Sequence, residues 1–169
     1  MGEASSRHGL NGLVLDTHAV IWYLANHPRL PLTARRLIRE LAEAGKYSCV
    51  PAICLVEATY LVEKARLAES SLNFLRDALA EAQSNLRVAP LDFDVPHALR
   101  CVAREEVPGL PDRIIAATAL SMGLPLVTRD RRIIASNVET MWLGDSLPLA
   151  AGRTPKEYRL RRRPIDASV

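Results

Sequence analysis

Short apolar runs alternate along this chain with longer stretches whose apolar residues recur at helical spacing. Residues 12–16 read Gly-Leu-Val-Leu-Asp, a continuous apolar run ending in an acid, which suits a strand buried on both faces of a parallel sheet. The pattern then predicts a short helix over 19–25 and a better one over 33–44, stopped by Gly45. A strand is expected at 47–50. After Pro51, the strongly apolar segment 52–67 reads as a helix with one acid inside it, and 70–84 as another. A third strand follows at 86–91. Helices over 94–105 and 111–122, the second ended by Gly123, lead into strands at 124–128 and 138–143. This alternation predicts an α/β protein: a three-layer α/β/α fold around a central, mostly parallel sheet of roughly five strands. Such sheets bind ligands outside the carboxyl ends of their strands, where this reading puts Asp16 and Asp130.

With 169 residues, 49% of them apolar, the chain can fill one core and is too short for two. The expected organisation is a flexible leader over 1–11, a folded domain over 12–143 and a basic tail over 144–169. Charge sharpens that division. Residues 153–169 hold six basic side chains against Glu157 and Asp166, so this segment carries +4 of the net +3 and the remainder is −1. The body therefore offers no generally basic surface. With Pro155 and Pro164, the tail is expected to be mobile. Cys49, Cys54 and Cys101 form an odd set without C-x-x-C spacing, and no secretory leader precedes them, so they read as reduced, mostly buried thiols of a cytoplasmic protein. The longest apolar stretch, 114–127, has 14 residues and is interrupted by Gly123 and Pro125, which excludes a membrane span. Residues 1–6, Met-Gly-Glu-Ala-Ser-Ser, fit the myristoylation pattern, but without a second anchoring signal nearby a plain leader is the reading.

Four acids then stand out, each with an ordinary structural explanation beside a chemical one. Asp16 follows the first strand directly and suits the cap of the next helix. Glu57 has Ile53, Cys54, Tyr60 and Leu61 as its helical neighbours, which sets a charge on an apolar face with no basic residue one turn away. A metal, a distant arginine or a cleft open to water could each satisfy it. Asp112 opens a helix after Pro111, a post the helix dipole favours in any protein. Asp130 lies in Thr128-Arg129-Asp130-Arg131-Arg132, where a turn acid among arginines would be ordinary. Together they read differently: carboxylates gathered at one sheet edge can hold Mg²⁺ or Mn²⁺, which prefer oxygen ligands. The four histidines show no i, i+4 zinc spacing, and His18 is read as packing or bonding locally.

The stretches Leu15-Asp16-Thr17-His18-Ala19-Val20-Ile21-Trp22, the Glu57 helix, Asp112-Arg113-Ile114-Ile115-Ala116-Ala117-Thr118-Ala119 and Leu126-Val127-Thr128-Arg129-Asp130, in this order, resemble a PIN domain. More narrowly, they resemble the VapC toxins of toxin-antitoxin pairs. The resemblance implies a Mg²⁺- or Mn²⁺-dependent endoribonuclease, usually dimeric, inhibited by a cognate antitoxin that covers its active site. It carries Asp16, Glu57, Asp112 and Asp130 over as metal-binding and catalytic acids, and Thr128 as a hydroxyl that orients water or substrate. Many relatives have an Asp-Pro shortly before the position of Asp112, where this chain has Gly109-Leu110-Pro111. Arg129, Arg131 and Arg132 suit either the phosphate backbone of RNA or an exposed polar turn. Trp22, Tyr23 and Trp142 suit core, dimer or antitoxin contacts.

Two other readings compete. A PIN scaffold could hold RNA or a partner without cutting, although retention of all four acids argues against it. A phosphatase of the haloacid dehalogenase type also uses a strand-end Asp, but a second Asp normally stands two residues on, and here that residue is His18.

Overall fold

The computed structural model describes residues 10–141. The expected leader and tail therefore lie almost wholly outside the described residues, as does Trp142. Within them, four strands form one parallel sheet: β1 (Gly12–Leu15), β2 (Tyr47–Pro51), β3 (Leu86–Ala89) and β4 (Leu126–Val127), in the order β3-β2-β1-β4. Every position of β1 is buried, so cover is required on both faces of the sheet, as its unbroken apolar run predicts. Between and after the strands come α1 (Thr17–Leu24), α2 (Leu32–Glu43), α3 (Ala52–Glu63), α4 (Glu69–Ala80), α5 (Asp94–Leu99), α6 (Leu110–Met122) and α7 (Arg131–Ala135). The core joins Leu13, Val14 and Leu15 of β1 to Val50 of β2, Leu126 of β4, Ile38 of α2, and Ile115 and Ala116 of α6.

The strand order has one topological consequence. From β1 the chain steps outward to β2 and β3 on one side and returns to add β4 on the other, so the path reverses between β1 and β4. At such a reversal the connections leave in opposite directions and open a crevice at the carboxyl ends of the two strands.

A fifth strand is not formed among the described residues. Segment 138–141 meets β4 through a single parallel bridge, Leu126 to Thr140, with the Leu126 N–H donating to Glu139 and the Met141 N–H to Leu126. Strand β4 has only two residues, because Pro125 supplies no N–H before it and the chain leaves the sheet after Val127, so there is no longer edge to pair with. Helix α5 is also shorter than the expected 94–105. The chain turns after Leu99 to bury Val102 and Val107, and the Arg113 guanidinium donates to the carbonyls of Leu99 and Val102 at 3.0–3.2 Å. Those bonds satisfy acceptors that further helix would otherwise have used. The cysteines are less buried than expected: Cys54 is buried, while Cys49 and Cys101 are half-exposed.

Four helices end through one hydrogen-bond pattern. A residue with positive φ follows the helix, and the next N–H reaches back five residues: His27 to Trp22, Lys46 to Leu41, Arg66 to Leu61 and Leu124 to Ala119. The turning residues are Asn26 (φ 51°), Gly45 (69°), Ala65 (52°) and Gly123 (62°). Asn and Gly tolerate this region, whereas Ala pays for its Cβ there. Ala65→Gly is therefore expected to raise stability by about 1 kcal/mol, or about 2–4 °C in Tm, in a thermal melt; an unchanged or lower Tm would show that Ala65 is unstrained.

Candidate active site

The crevice predicted by the strand order is a cleft of about 420 Å³, lined by Asp16, Thr17, His18, Glu57, Asp112, Ile115, Thr128, Arg129, Asp130, Arg131, Arg132 and Ile133. All eight residues singled out from the sequence line it. They come from the ends of β1 and β4, the middle of α3, and the starts of α6 and α7.

Three of the acids occupy helix N-termini, and their structural roles are what position them. Asp16 is the cap of α1, its Oδ1 accepting the Ala19 N–H at 2.6 Å, while its own N–H donates to Val127 of β4 at 3.1 Å. Asp130 caps α7 by accepting from the Arg132 and Ile133 N–H groups at 2.7 and 3.2 Å. Asp112 lies in the first turn of α6, and its carboxylate folds back over Gly109 at the helix cap, where a Cβ would collide with it. Such a reach-back is the usual habit of an acid at the third helical position. The glycine in Gly109-Leu110-Pro111 thus has a local steric reason.

Glu57 is held differently. The Thr17 hydroxyl donates to its Oε2 at 2.5 Å. Of the two open possibilities for this acid that need no ligand, the cleft rather than an arginine is what the structure provides: Glu57 is half-exposed, and its helical neighbour Tyr60 is 56% exposed. Thr17 went unremarked in the sequence, although a hydroxyl directly after a strand-end acid was a usable signal. Thr128 is fully buried, accepts the Asp130 N–H at 3.0 Å, and hydrogen-bonds through its side chain to Asp16. One hydroxyl therefore ties the acid after β1 to the acid after β4. His18 packs its ring against Trp22 at 5.4 Å. Trp22 is buried in the core, and Tyr23 is half-buried.

Burial and mutual repulsion govern the charges. Desolvation raises the Asp16 pKa above the ordinary 3.8, against the Thr128 and Ala19 hydrogen bonds and the His18 charge, which lower it; Asp130 raises it further. Asp112 is raised first by burial, then by the neighbouring Asp130 and Glu57 carboxylates. Burial also keeps Cys54 a neutral thiol beneath the site, pushing its pKa well up. None of the four acids forms an ion pair among the described residues, despite three arginines on the cleft wall. Nor do any three acidic, imidazole or thiol groups among the described residues converge tightly enough to grip one ion as they stand. Each carboxylate is instead turned onto its own cap or hydroxyl. An oxygen-only donor set without internal counter-ions fits a hard divalent cation.

Comparison with known proteins agrees with this geometry. The PIN domain family profile matches residues 13–139. Ribonuclease VapC22 of Mycobacterium tuberculosis is 35% identical over 124 residues, covering 72% of this chain and 88% of that protein. Among solved structures, VapBC2 from Rickettsia felis bound to a promoter DNA fragment superposes with a TM-score of 0.59 at 20% identity, covering 77% of this chain and 97% of that one. DNA-bound VapBC from Salmonella typhimurium gives 0.58 at 23% identity, covering 78% and 98%. These two likenesses concern the fold. From the profile match and the identity to the Mycobacterium ribonuclease, the chain belongs to the PIN domain family and, within it, to the VapC group.

Proposed function

We propose that this chain is a metal-dependent endoribonuclease, the toxin of a VapBC-type toxin-antitoxin pair, which hydrolyses RNA phosphodiester bonds with Mg²⁺ or Mn²⁺. The observation that carries the reading is the convergence of Asp16, Glu57, Asp112 and Asp130, from four separate elements, on one cleft in a chain of the VapC group. A silent scaffold is not favoured, since it would need none of this acid-lined geometry. The four acids would hold the ion, which when bound lowers the pKa of a water and offsets charge on the phosphate oxygens. The remaining residues prepare the site for that. Thr128 fixes the Asp16 carboxylate, Thr17 fixes Glu57, and the N-termini of α1 and α6 direct partial positive charge at the cleft. Arg129, Arg131 and Arg132 are the groups to receive RNA phosphates.

The partners follow from the same reading: RNA as substrate, a cognate antitoxin over the cleft, and a second copy of the chain in a homodimer. Exposed Val56 and Tyr60 on α3 and Phe74 on α4, two helices that pack together, support such assembly. The proposed place of action is the cytoplasm; no helix among the described residues is long and apolar enough to cross a membrane.

Three outcomes test the proposal. Asp16→Asn and Asp130→Asn keep a cap as good as Asp, so the fold should survive while cleavage of RNA in Mg²⁺ or Mn²⁺ falls about 100-fold or more; wild-type rates in folded variants would remove the reading. Thr128→Val is expected to cost about 10–100-fold by loosening Asp16, with Thr128→Ser restoring most of it; equal rates for the Val and Ser variants would dismiss a role for the hydroxyl. The third outcome concerns pH. Because the Asp16 and Asp112 pKa values are raised by folding, the folded state binds more protons than the unfolded one above pH 3.8, so their contribution to stability is full below that value and is lost as pH rises through the raised values. Melts in chelator should therefore show stability declining as pH rises above 3.8, and Mg²⁺ or Mn²⁺ at 100 times its Kd should return about 2.7 kcal/mol at neutral pH. Divalent-independent melts across that range would contradict a cation site.

A further inference from the structure

The arginines on the cleft wall are not equivalent. All three are exposed, but the Arg129 guanidinium lies over the Trp22 indole, with Cζ 4.9 Å from the ring centre, whereas Arg131 and Arg132 stand in the first turn of α7 with no aromatic ring beneath them among the described residues. Trp22 is only 7% exposed, so the surface beneath Arg129 is part of the core and does not move with solvent-facing side chains. His18 leans on the same indole at 5.4 Å and 54°, and both His18 and Arg129 line the acidic cleft. On its remaining surface the ring is stacked by His27 at 5.8 Å and 22°, and Arg29 lies over it more distantly, with Cζ 6.0 Å from the ring centre.

Arg129 is also unpaired with any anion among the described residues. Among the described residues its guanidinium makes no ion pair or hydrogen bond, although Asp130 adjoins it in sequence and Asp16, Glu57 and Asp112 line the same cleft. A guanidinium attracted to an aromatic ring, with no carboxylate on its N–H groups, keeps those donors available, and they match the oxygens of a phosphate. Holding the group on a buried ring also removes beforehand the rotamer freedom that a loose arginine loses on binding. We propose that Trp22 is a positioning residue that holds Arg129 as a pre-set clamp for a backbone phosphate of single-stranded RNA, adjoining the phosphate that meets the acids. This rests on the nuclease reading for the identity of the ligand, and it assigns the buried tryptophan to substrate binding as well as to the core.

The test measures binding of a fluorescent single-stranded oligoribonucleotide by anisotropy over a range of KCl, in the full-length chain carrying Asp16→Asn so that the RNA is not consumed. Arg129→Ala should lower the slope of log K against log salt by about 0.7, the loss of one phosphate contact, whereas Arg36→Ala, remote from the cleft, should leave it unaltered. Trp22→Phe keeps an aromatic face and should retain the wild-type slope. Trp22→Leu should lose as much as Arg129→Ala, and combining the two should lose no more than either alone. A full slope in Arg129→Ala, a full slope in folded Trp22→Leu, or additive losses would overturn the proposal. Should Trp22→Leu not fold, Arg129→Lys decides: it keeps the charge without the planar group, and its affinity should fall about three- to fivefold; lysine binding as tightly as arginine would refute the clamp. A wild-type chain that binds this RNA with the expected slopes yet never cleaves RNA would sink the nuclease reading alone. Cleavage by the wild type with no effect at Arg129 would sink the clamp alone.

Discussion

Like charges crowded into a partly buried cleft are the constraint around which this molecule is arranged. Four carboxylates that form no ion pair among the described residues must find much of their stabilisation in hydrogen bonds and helix ends, and each does. Asp16 and Asp130 draw on the unpaired N–H groups of the helices they cap, Asp112 folds back over the start of its own helix, and Glu57 takes a hydroxyl proton from Thr17. The same contacts hold the acids at fixed stations along the cleft wall. Capping and chemistry are therefore not rival explanations of these residues. The cap delivers the carboxylate to the place where the chemistry needs it.

The sheet serves this arrangement by its order more than by its size. Because β4 lies beside β1 and away from β2 and β3, the residues that leave β1 and β4 face each other across the crevice, and Thr128 can bond to both acids. Two residues of β4 suffice, since the strand has only to bring Val127 to the Asp16 N–H. The Arg113 fork has an analogous part on the other wall: it fastens the end of α5 to the start of α6, one residue from Asp112.

Much of this was legible in the sequence because the informative residues act locally. The apolar run before Asp16, the Pro and Gly that bracket helices, and the acids at strand ends and helix starts predicted the α/β order and the place where ligands bind. What could not be read depends on partners distant in the chain. The shortening of α5 is caused by Arg113, the lack of a fifth described strand by the two-residue edge of β4, and the stop after α3 by Ala65 in a conformation that carries no compositional mark. The same holds for Thr17 on Glu57 and Trp22 beneath Arg129, pairs separated by 40 residues or more that only the folded sheet brings together.

The cleft draws its walls from residues near both ends of the described chain. On the reading proposed here, this bears on the cell that makes the protein. A ribosome partway through the message holds Asp16 and Glu57 in a growing chain with no opposite wall, since β4 and α7 come last in the order of the fold. The nascent polypeptide is thus harmless to the transcript and the translation machinery around it, and toxicity arises in one step only after the last carboxylate has emerged and folded back beside the first.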